Sequence, residues 1–352
     1  KSLTLRAAEG LESAPIIQGK LSIKDGATIR GIVFDGASEV ADAIRIDDTV
    51  TGAPVVISGC TVRNYTNRFV YVSLSGKIES LTIDDCIFIG ADNSTTNKAI
   101  YASSAHTQVE TLSVTNSTFL NFNTGSNYFF RINCGEELVL MPVVLIDHCT
   151  FYNCYDRRGV YLYNAGRSTI KNCISAFSER RDDTKSFTAY GDESIVKNVI
   201  SYNVDLYGSA PKENIISKNP LFVDAENGNF QLYKDSPAVG AGDDGSDLGD
   251  PRWGVSTENA PVGELPYECF KKPYSMSPTT HSVRILWQTL DSNPSGTVYY
   301  GKTPDLGQKV TAETGWNVDG EGFVHVIELT GLEPFTEYYY QVGDESRRYE
   351  TI

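Results

Sequence analysis

The 352-residue chain contains no apolar run approaching the roughly 20 residues that a bilayer-spanning helix needs, so no stretch of it reads as a transmembrane segment. Positive charge is in deficit: 30 Lys and Arg stand against 45 Asp and Glu, giving a net charge of -15 and a pI near 4.7. Nucleic-acid binding draws on clustered Lys and Arg, so a nucleic-acid partner is not expected. The same acidity repels anionic glycans at long range, and a uronate site would need a local Arg cluster or a bound cation. Histidine is scarce, at four, and the seven cysteines at 60, 86, 134, 149, 154, 173 and 269 include no Cys-x-x-Cys pair, which argues against zinc and dithiol redox chemistry. Hydrophobic residues still make up 40% of the chain, enough for a sizeable core. The first residues, Lys1-Ser-Leu-Thr-Leu5, are already strand-like, and the chain reads as beginning inside a structural unit from which a signal peptide or earlier segment has been removed.

What is present is a repeat. An apolar residue, two polar or small ones, a Cys or other small apolar residue and a further apolar residue two positions on recur as Ile29-Arg-Gly-Ile32-Val-Phe34, Ile57-Ser-Gly-Cys60-Thr-Val62, Ile83-Asp-Asp-Cys86-Ile-Phe88 and Val114-Thr-Asn-Ser117-Thr-Phe119. The series continues through Ile146-Asp-His-Cys149-Thr-Phe151, Ile170-Lys-Asn-Cys173-Ile-Ser175 and Ile195-Val-Lys-Asn-Val199. Its fourth position falls at 32, 60, 86, 117, 149, 173 and 199, a period of 24 to 32 residues. Short strands rich in Val, Ile, Thr and Tyr with Asn/Gly turns at this interval predict a parallel β-helix, since a leucine-rich repeat would need alternating helical segments and Leu-x-x-Leu-x-Leu. Stacked coils bury a core that no single coil could. Cys60, Cys86, Cys149 and Cys173 then form one inward column, read as small buried thiols rather than a disulfide or metal ladder. Asn64, Asn121, Asn153 and Asn203, four residues beyond the same position, are read as a turn ladder whose amides bond to neighbouring coils.

After residue 205 the pattern changes to Asn219-Pro-Leu-Phe-Val-Asp-Ala-Glu-Asn-Gly-Asn-Phe-Gln-Leu232, then Ser236-Pro-Ala-Val-Gly-Ala-Gly242 and Asp247-Leu-Gly-Asp-Pro-Arg-Trp-Gly254. This run resembles the closing segment of right-handed parallel β-helix proteins of the pectate-lyase-like superfamily, notably secreted glycan-utilisation proteins of Bacteroidota. The resemblance implies a solenoid over residues 1–254 whose closing segment, about 219–254, covers the open end of the core. That superfamily holds lyases, hydrolases and noncatalytic members, so the likeness implies fold more than reaction.

Pro, Glu and Gly gather in residues 255–272, which read as a linker. From 273 to 352 the pattern is one of short alternating strands: His281-Ser-Val-Arg-Ile-Leu-Trp287, Gly296-Thr-Val-Tyr-Tyr300, Val324-His-Val-Ile-Glu-Leu329 and Glu337-Tyr-Tyr-Tyr-Gln-Val342. With Trp287 early and Leu332-Glu-Pro-Phe-Thr-Glu-Tyr338 late, this part resembles a fibronectin type III β-sandwich, specifically the version that precedes purple-acid-phosphatase-type metallophosphoesterases. Trp287 and the run Tyr338 to Tyr340 are read as core and tyrosine-corner residues rather than ligand contacts. The chain carries none of the phosphatase's His/Asp/Asn metal motifs. The expected fold class is therefore all-β: a right-handed parallel β-helix with a C-terminal fibronectin type III-like β-sandwich.

Candidate chemistry comes from the strands that follow each repeat: Ile44-Arg45-Ile46, Val70-Tyr71-Val72, Ile100-Tyr101-Ala102, Phe130-Arg131-Ile132 and Val160-Tyr161-Leu162. Alternate residues face opposite ways, so Arg45, Tyr71, Tyr101, Arg131 and Tyr161 form an outward column, spanning roughly 19 Å at about 4.8 Å per coil. Asp47, Ser73, Ser103, Asn133 and Tyr163 form a neighbouring one. Aromatic faces stack on sugar C–H surfaces and Arg pairs with carboxylate or sulfate, so the predicted substrate-binding set is Arg45, Tyr71, Tyr101, Arg131, Tyr161, Asn133 and Tyr163. The expected partner is a polysaccharide or oligosaccharide, acidic in character, held by a secreted, periplasmic or outer-surface protein without a cofactor. A rival reading is a polysaccharide lyase acting by β-elimination, with Arg131 or Lys98, and also Arg68, as candidate catalytic groups and Ca²⁺ entering only on that reading. A third is a noncatalytic spacer or adhesin. A hydrolase would need paired carboxylates; Asp84 and Asp85 are adjacent on a strand, and His148 occupies the position of Asp85, Asn116 and Asn172 in other coils, which makes it turn-facing rather than a base.

Overall fold

A computed structural model describes residues 3–47, 49–50, 54–73, 77–90, 97–104, 108–122, 128–134, 142–163, 166–180, 183–260, 269–290, 295–313, 315–318, 322–344 and 348–349. Among them the structure is all-β, with a single short 3₁₀ turn at Ala225–Asn227. The chain divides into two compact units, Lys1–Asn259 and Ala260–Ile352.

The first unit is the parallel β-helix expected from the repeat. Ile29, Ile57, Ile83, Val114, Ile146 and Ile170 lie in one register across Ala27–Arg30, Val55–Ser58, Lys77–Asp84, Gln108–Thr115, Val143–Asp147 and Arg167–Ala176. All are buried. Parallel strands need crossovers, which take the right-handed path. Each coil bends after this strand at a residue in the left-handed conformation: Gly31, Gly59, Asp85, Asn116, His148, Asn172, Asn198 and Asn214 all have φ between 48° and 66°. Gly, Asn and Asp adopt it most cheaply, and they fill every one of these positions except His148. The asparagines also tie coils together, Asn116 donating to Asp84 (2.9 Å) and Asn172 to Asp147 (3.0 Å).

A second set of strands follows the bend, including Val33–Asp35, Thr61–Arg63, Ile87–Ile89, Thr118–Leu120 and Thr150–Tyr152. Their middle residues point inward, and Phe88, Phe119 and Phe151 stack with centroids 4.9 and 4.8 Å apart, the spacing of the coils themselves. The next corner places Asn64, Asn121, Asn153 and Asn203 in the left-handed region. Asn64 donates to Asp35 and Asn203 to the Phe177 carbonyl, so these amides link coils as expected, through carboxylates and carbonyls rather than one another. Cys60, Cys86, Cys149 and Cys173 are buried in the core and unpaired, with thiols directed at carbonyls such as Val114 O (3.5 Å from Cys149).

The closing segment does not plug the end of the solenoid. Phe230, Leu232, Ala238, Leu248 and Trp253 pack against Leu120, Tyr152, Ile174, Ala176 and Ile200, the outward residues of the second strand set, in a cluster separate from the main core. It is a strap along the flank. Asp250 fastens it, accepting from Thr118 (2.6 Å) and pairing with Arg252 (3.0 Å), which also reaches Asp85 (2.6 Å). The strap extends past residue 254: Val255 bridges to Leu232 and Lys234 N donates to Glu258 O, so the first residues of the expected linker belong to this unit. Residues 261–268 of that linker lie outside the described residues.

The second unit has one antiparallel sheet of Lys271–Met276, Ser282–Thr289, Gly322–Thr330 and Trp316–Val318, and another of Gln308–Glu313, Ser295–Gly301 and Tyr339–Gly343. Ile285, Trp287, Ile327 and Leu329 from the first meet Val298 and Val342 from the second in a shared core, a β-sandwich. Trp287 is fully buried, and the Tyr338 hydroxyl accepts from Glu333 N (3.1 Å), a tyrosine corner.

Candidate functional site

The third face of the β-helix is an eight-stranded parallel sheet whose strands run from Leu21–Ile23 through Asp42–Ile46, Arg68–Val72, Lys98–Ser104, Phe130–Cys134, Val160–Leu162 and Lys185–Ala189 to Asp205–Tyr207. The alternation that buries Ile44, Val70, Ile100, Phe130 and Val160 turns the intervening side chains outward. Arg45, Tyr71, Tyr101, Arg131 and Tyr161 are consecutive Cα partners, extended by Ser22 at one end and Thr188 at the other. Asn133 pairs with Ser103, whose side chain lies outside the described residues, and Tyr163 follows Leu162 on the same outward side.

The column points outward without being bare. Tyr71 and Tyr161 are only 6% and 5% exposed, which corrects the expectation of a uniformly solvent-facing stripe. Neither belongs to the core; both are roofed by other side chains of the same face. Arg68 lies 3.6 Å and Arg45 5.2 Å from the Tyr71 centroid, with Tyr101 tilted beside it at 6.0 Å. Tyr161 is stacked between Tyr128 (5.8 Å) and Tyr163 (5.8 Å), with Tyr190 edge-on at 6.3 Å and Arg158 at 4.7 Å. Tyr101, Arg131 and Asn133 are half-buried, and Tyr163 is exposed. Tyr71 and Tyr161 thus form a rigid floor, and Tyr101, Tyr128, Arg131 and Tyr163 the surface above it.

Tyr128, Arg158 and Tyr190 were not foreseen from the repeat. Tyr128 and Arg158 occupy the corner two residues before the inward Phe130 and Val160, as Arg68 and Lys98 precede Val70 and Ile100. That shared offset was the available signal.

Electrostatics vary along the face. Arg68 pairs with buried Asp42 through two contacts (2.8 and 3.0 Å), and Arg45 with Asp47. Burial holds the Lys98 ammonium below its ordinary range against the opposing pull of Asp156, and its nitrogen lies 5.8 Å from the Tyr101 centroid. Arg131 donates to the Tyr128 hydroxyl and lies over that ring at 4.2 Å. Burial also raises the Tyr128 and Tyr190 phenols, so both hydroxyls stay protonated near neutrality.

The carboxylates considered for hydrolysis lie elsewhere. Asp84 accepts from Thr115 and Asn116 at the first corner, and Asp85 is held by Arg252. His148 sits in that left-handed corner with its ring between Asp147 (2.8 Å) and Ser246 (2.7 Å). Among the described residues no group of three or more His, Cys, Asp or Glu side chains is arranged to hold a metal.

Comparison with known families follows the same architecture. Residues 1–122 match one domain of unknown function (DUF4957), residues 144–253 match another (DUF5123), and residues 274–351 match the Purple acid Phosphatase, N-terminal domain. The first two divide what the structure joins, since Leu112 pairs with Val144 and Thr118 with Thr150 across the gap between them. No curated protein matches the chain. The class defined here is a parallel β-helix followed by a purple-acid-phosphatase N-terminal type sandwich.

Proposed function

We propose that the protein is a carbohydrate-binding β-helix that holds an acidic polysaccharide along its third face, and that it is a secreted or cell-surface member of the pectate-lyase-like glycan-utilisation solenoids of Bacteroidota. One observation carries this: Arg45, Tyr71, Tyr101, Arg131 and Tyr161 stand in one register, with ring and guanidinium surfaces packed side by side. Such a surface offers stacking planes for sugar C–H faces and donors for carboxylate or sulfate. Tyr71 and Tyr161 act by holding the exposed rings in place, which lowers the entropy lost on binding.

The test is titration calorimetry with an oligosaccharide selected on a glycan array. Tyr101→Ala should weaken binding at least tenfold, since truncating a central aromatic contact costs about 2 kcal/mol. Its melting temperature should hold, because the ring lies outside the core. Unchanged affinity would move the ligand off this face. The depressed Lys98 ammonium favours one second reading, a lyase, because a base must be neutral to abstract a proton. Unsaturated product, followed by ultraviolet absorbance and lost in Lys98→Ala, would establish it.

A further inference from the structure

The charges of the third face are unequally satisfied. At one end Asp42 and Asp47 neutralise Arg68 and Arg45: Asp42 is 5% exposed and receives two contacts from Arg68 and a longer one from Arg45 (3.7 Å), while Asp47 pairs with Arg45 Nε. Further along, Asp205 receives both Arg180 (3.1 Å) and Lys185 (3.2 Å). Lys98, between the two, sits in the field of the buried Asp156 carboxylate.

Arg131 and Arg158 differ. They flank Tyr161, with guanidinium carbons 5.7 and 4.7 Å from its centroid, and the described residues place no carboxylate in ion-pair contact with either. Arg131 spends one donor on the Tyr128 hydroxyl, and its buried Nε meets no acceptor among the described residues. Two coils from Arg131 in the same column, the Thr188 hydroxyl is fully buried and also lacks a partner among the described residues. Buried polar groups are rarely left unpaired without a reason, and an unpaired guanidinium donor in a partly desolvated aromatic site is suited to an anion. An acidic group three coils away, roughly 14 Å, would meet an already neutral Arg45–Asp47 pair and gain little.

Resting on the carbohydrate-binding reading, we propose that this face takes one anionic group, carboxylate or sulfate, between Arg131 and Arg158 and neutral sugar along the Tyr71–Tyr101 end. The preferred ligand is then a glycan with isolated acidic residues separated by neutral ones, not a polymer charged at every residue.

An array carrying neutral, sparsely acidic and uniformly uronate oligosaccharides tests it on the full chain. Sparsely acidic members should bind best, and the ratio of their affinity to that of neutral counterparts should fall at least tenfold in the double variant Arg131→Gln, Arg158→Gln. The proposal is overturned if uniform uronates or neutral chains bind best, or if the double variant keeps the wild-type ratio. If either result appears while Tyr101→Ala still weakens binding, the carbohydrate site stands and only its charge polarity is wrong. If no oligosaccharide binds, both fall together.

Discussion

Replacing His148 with Asn should destabilise the β-helix at pH 5.5 and much less at pH 8.5. The imidazole bridges two parts of the fold: Nδ1 faces Asp147 Oδ1 at 2.8 Å, and Nε2 faces Ser246 Oγ of the strap at 2.7 Å. Ser246 Oγ in turn lies 2.5 Å from Asp244 Oδ1. Asp244 is held in its ionised form and can only accept, so the serine proton must point to it. Ser246 Oγ then accepts from Nε2–H while Nδ1–H donates to Asp147, which leaves both ring nitrogens protonated. That direction of donation makes Ser246 an anchor rather than a nucleophile, despite the Asp, His and Ser order of the contacts. The pKa of His148 is accordingly raised above 6.5, chiefly by its bond to Asp147, with Asp244 adding to the effect and burial and Lys171 opposing it. Its raised folded-state value means that the contribution is complete below about 6.5 and is lost as pH rises through the higher folded value.

Hydrogen bonds to charged groups contribute about 1.5–3 kcal/mol each. Both partners are partly exposed, and Asn suits the left-handed corner better than His, so a net loss of about 1–2 kcal/mol is expected at pH 5.5. For a domain of this size that lowers the melting temperature by about 2–8 °C. Once pH passes the raised folded-state value the wild-type ring is neutral and keeps only one of its two donors, so the gap between the proteins should shrink as pH rises. Thermal melts by circular dichroism at the two pH values measure it. A gap that stays constant or widens with pH would refute the imidazolium assignment.

Two further outcomes follow from the packing. Phe119→Ala removes the middle ring of the Phe88–Phe119–Phe151 stack and should cost about 3–5 kcal/mol, read as a fall in the denaturant midpoint, because the rigid coil spacing prevents collapse onto the cavity. Ending the chain at Asn259 should leave a folded, cooperatively melting β-helix, since its core and strap draw only on residues up to that point; loss of the cooperative melt would show that the second unit is required.

The solenoid was legible because every coil sets the same environment, so Ile29, Ile57 and Ile83 recur in sequence as they recur in space. The left-handed corner was legible in part: Asp85, Asn116 and Asn172 marked the turn that His148 shares, but nothing local pointed to Ser246, 98 residues away. The roofing of Tyr71 escaped notice because it depends on Arg68, the first residue of its strand, which does not follow the alternation. The seat of the strap had a sequence signal of its own. Phe119 and Leu120, Phe151 and Tyr152, and Cys173 and Ile174 are apolar in both parities, the mark of a strand covered on both faces.

That double parity also separates what folding requires from what it does not. The outer face of the second strand set is apolar and lies under the strap, so its Leu120, Ile174 and Ile200 are explained by packing. The outer face of the third sheet lies under no such strap among the described residues, with Tyr163 and Tyr207 at 37% and 57% exposure. A solvent-facing parallel strand is satisfied by Thr or Ser, as at exposed Ser22, where the column that ends at buried Thr188 begins. Between those ends the fold gains little from placing partly exposed rings beside an unpaired guanidinium. The aromatic and cationic content of Tyr101, Tyr128, Arg131, Arg158 and Tyr163 is therefore what the proposed glycan site accounts for and packing does not, and on that proposal the ion pairing of Arg45 and Arg68 limits where on the face a glycan can carry its charge.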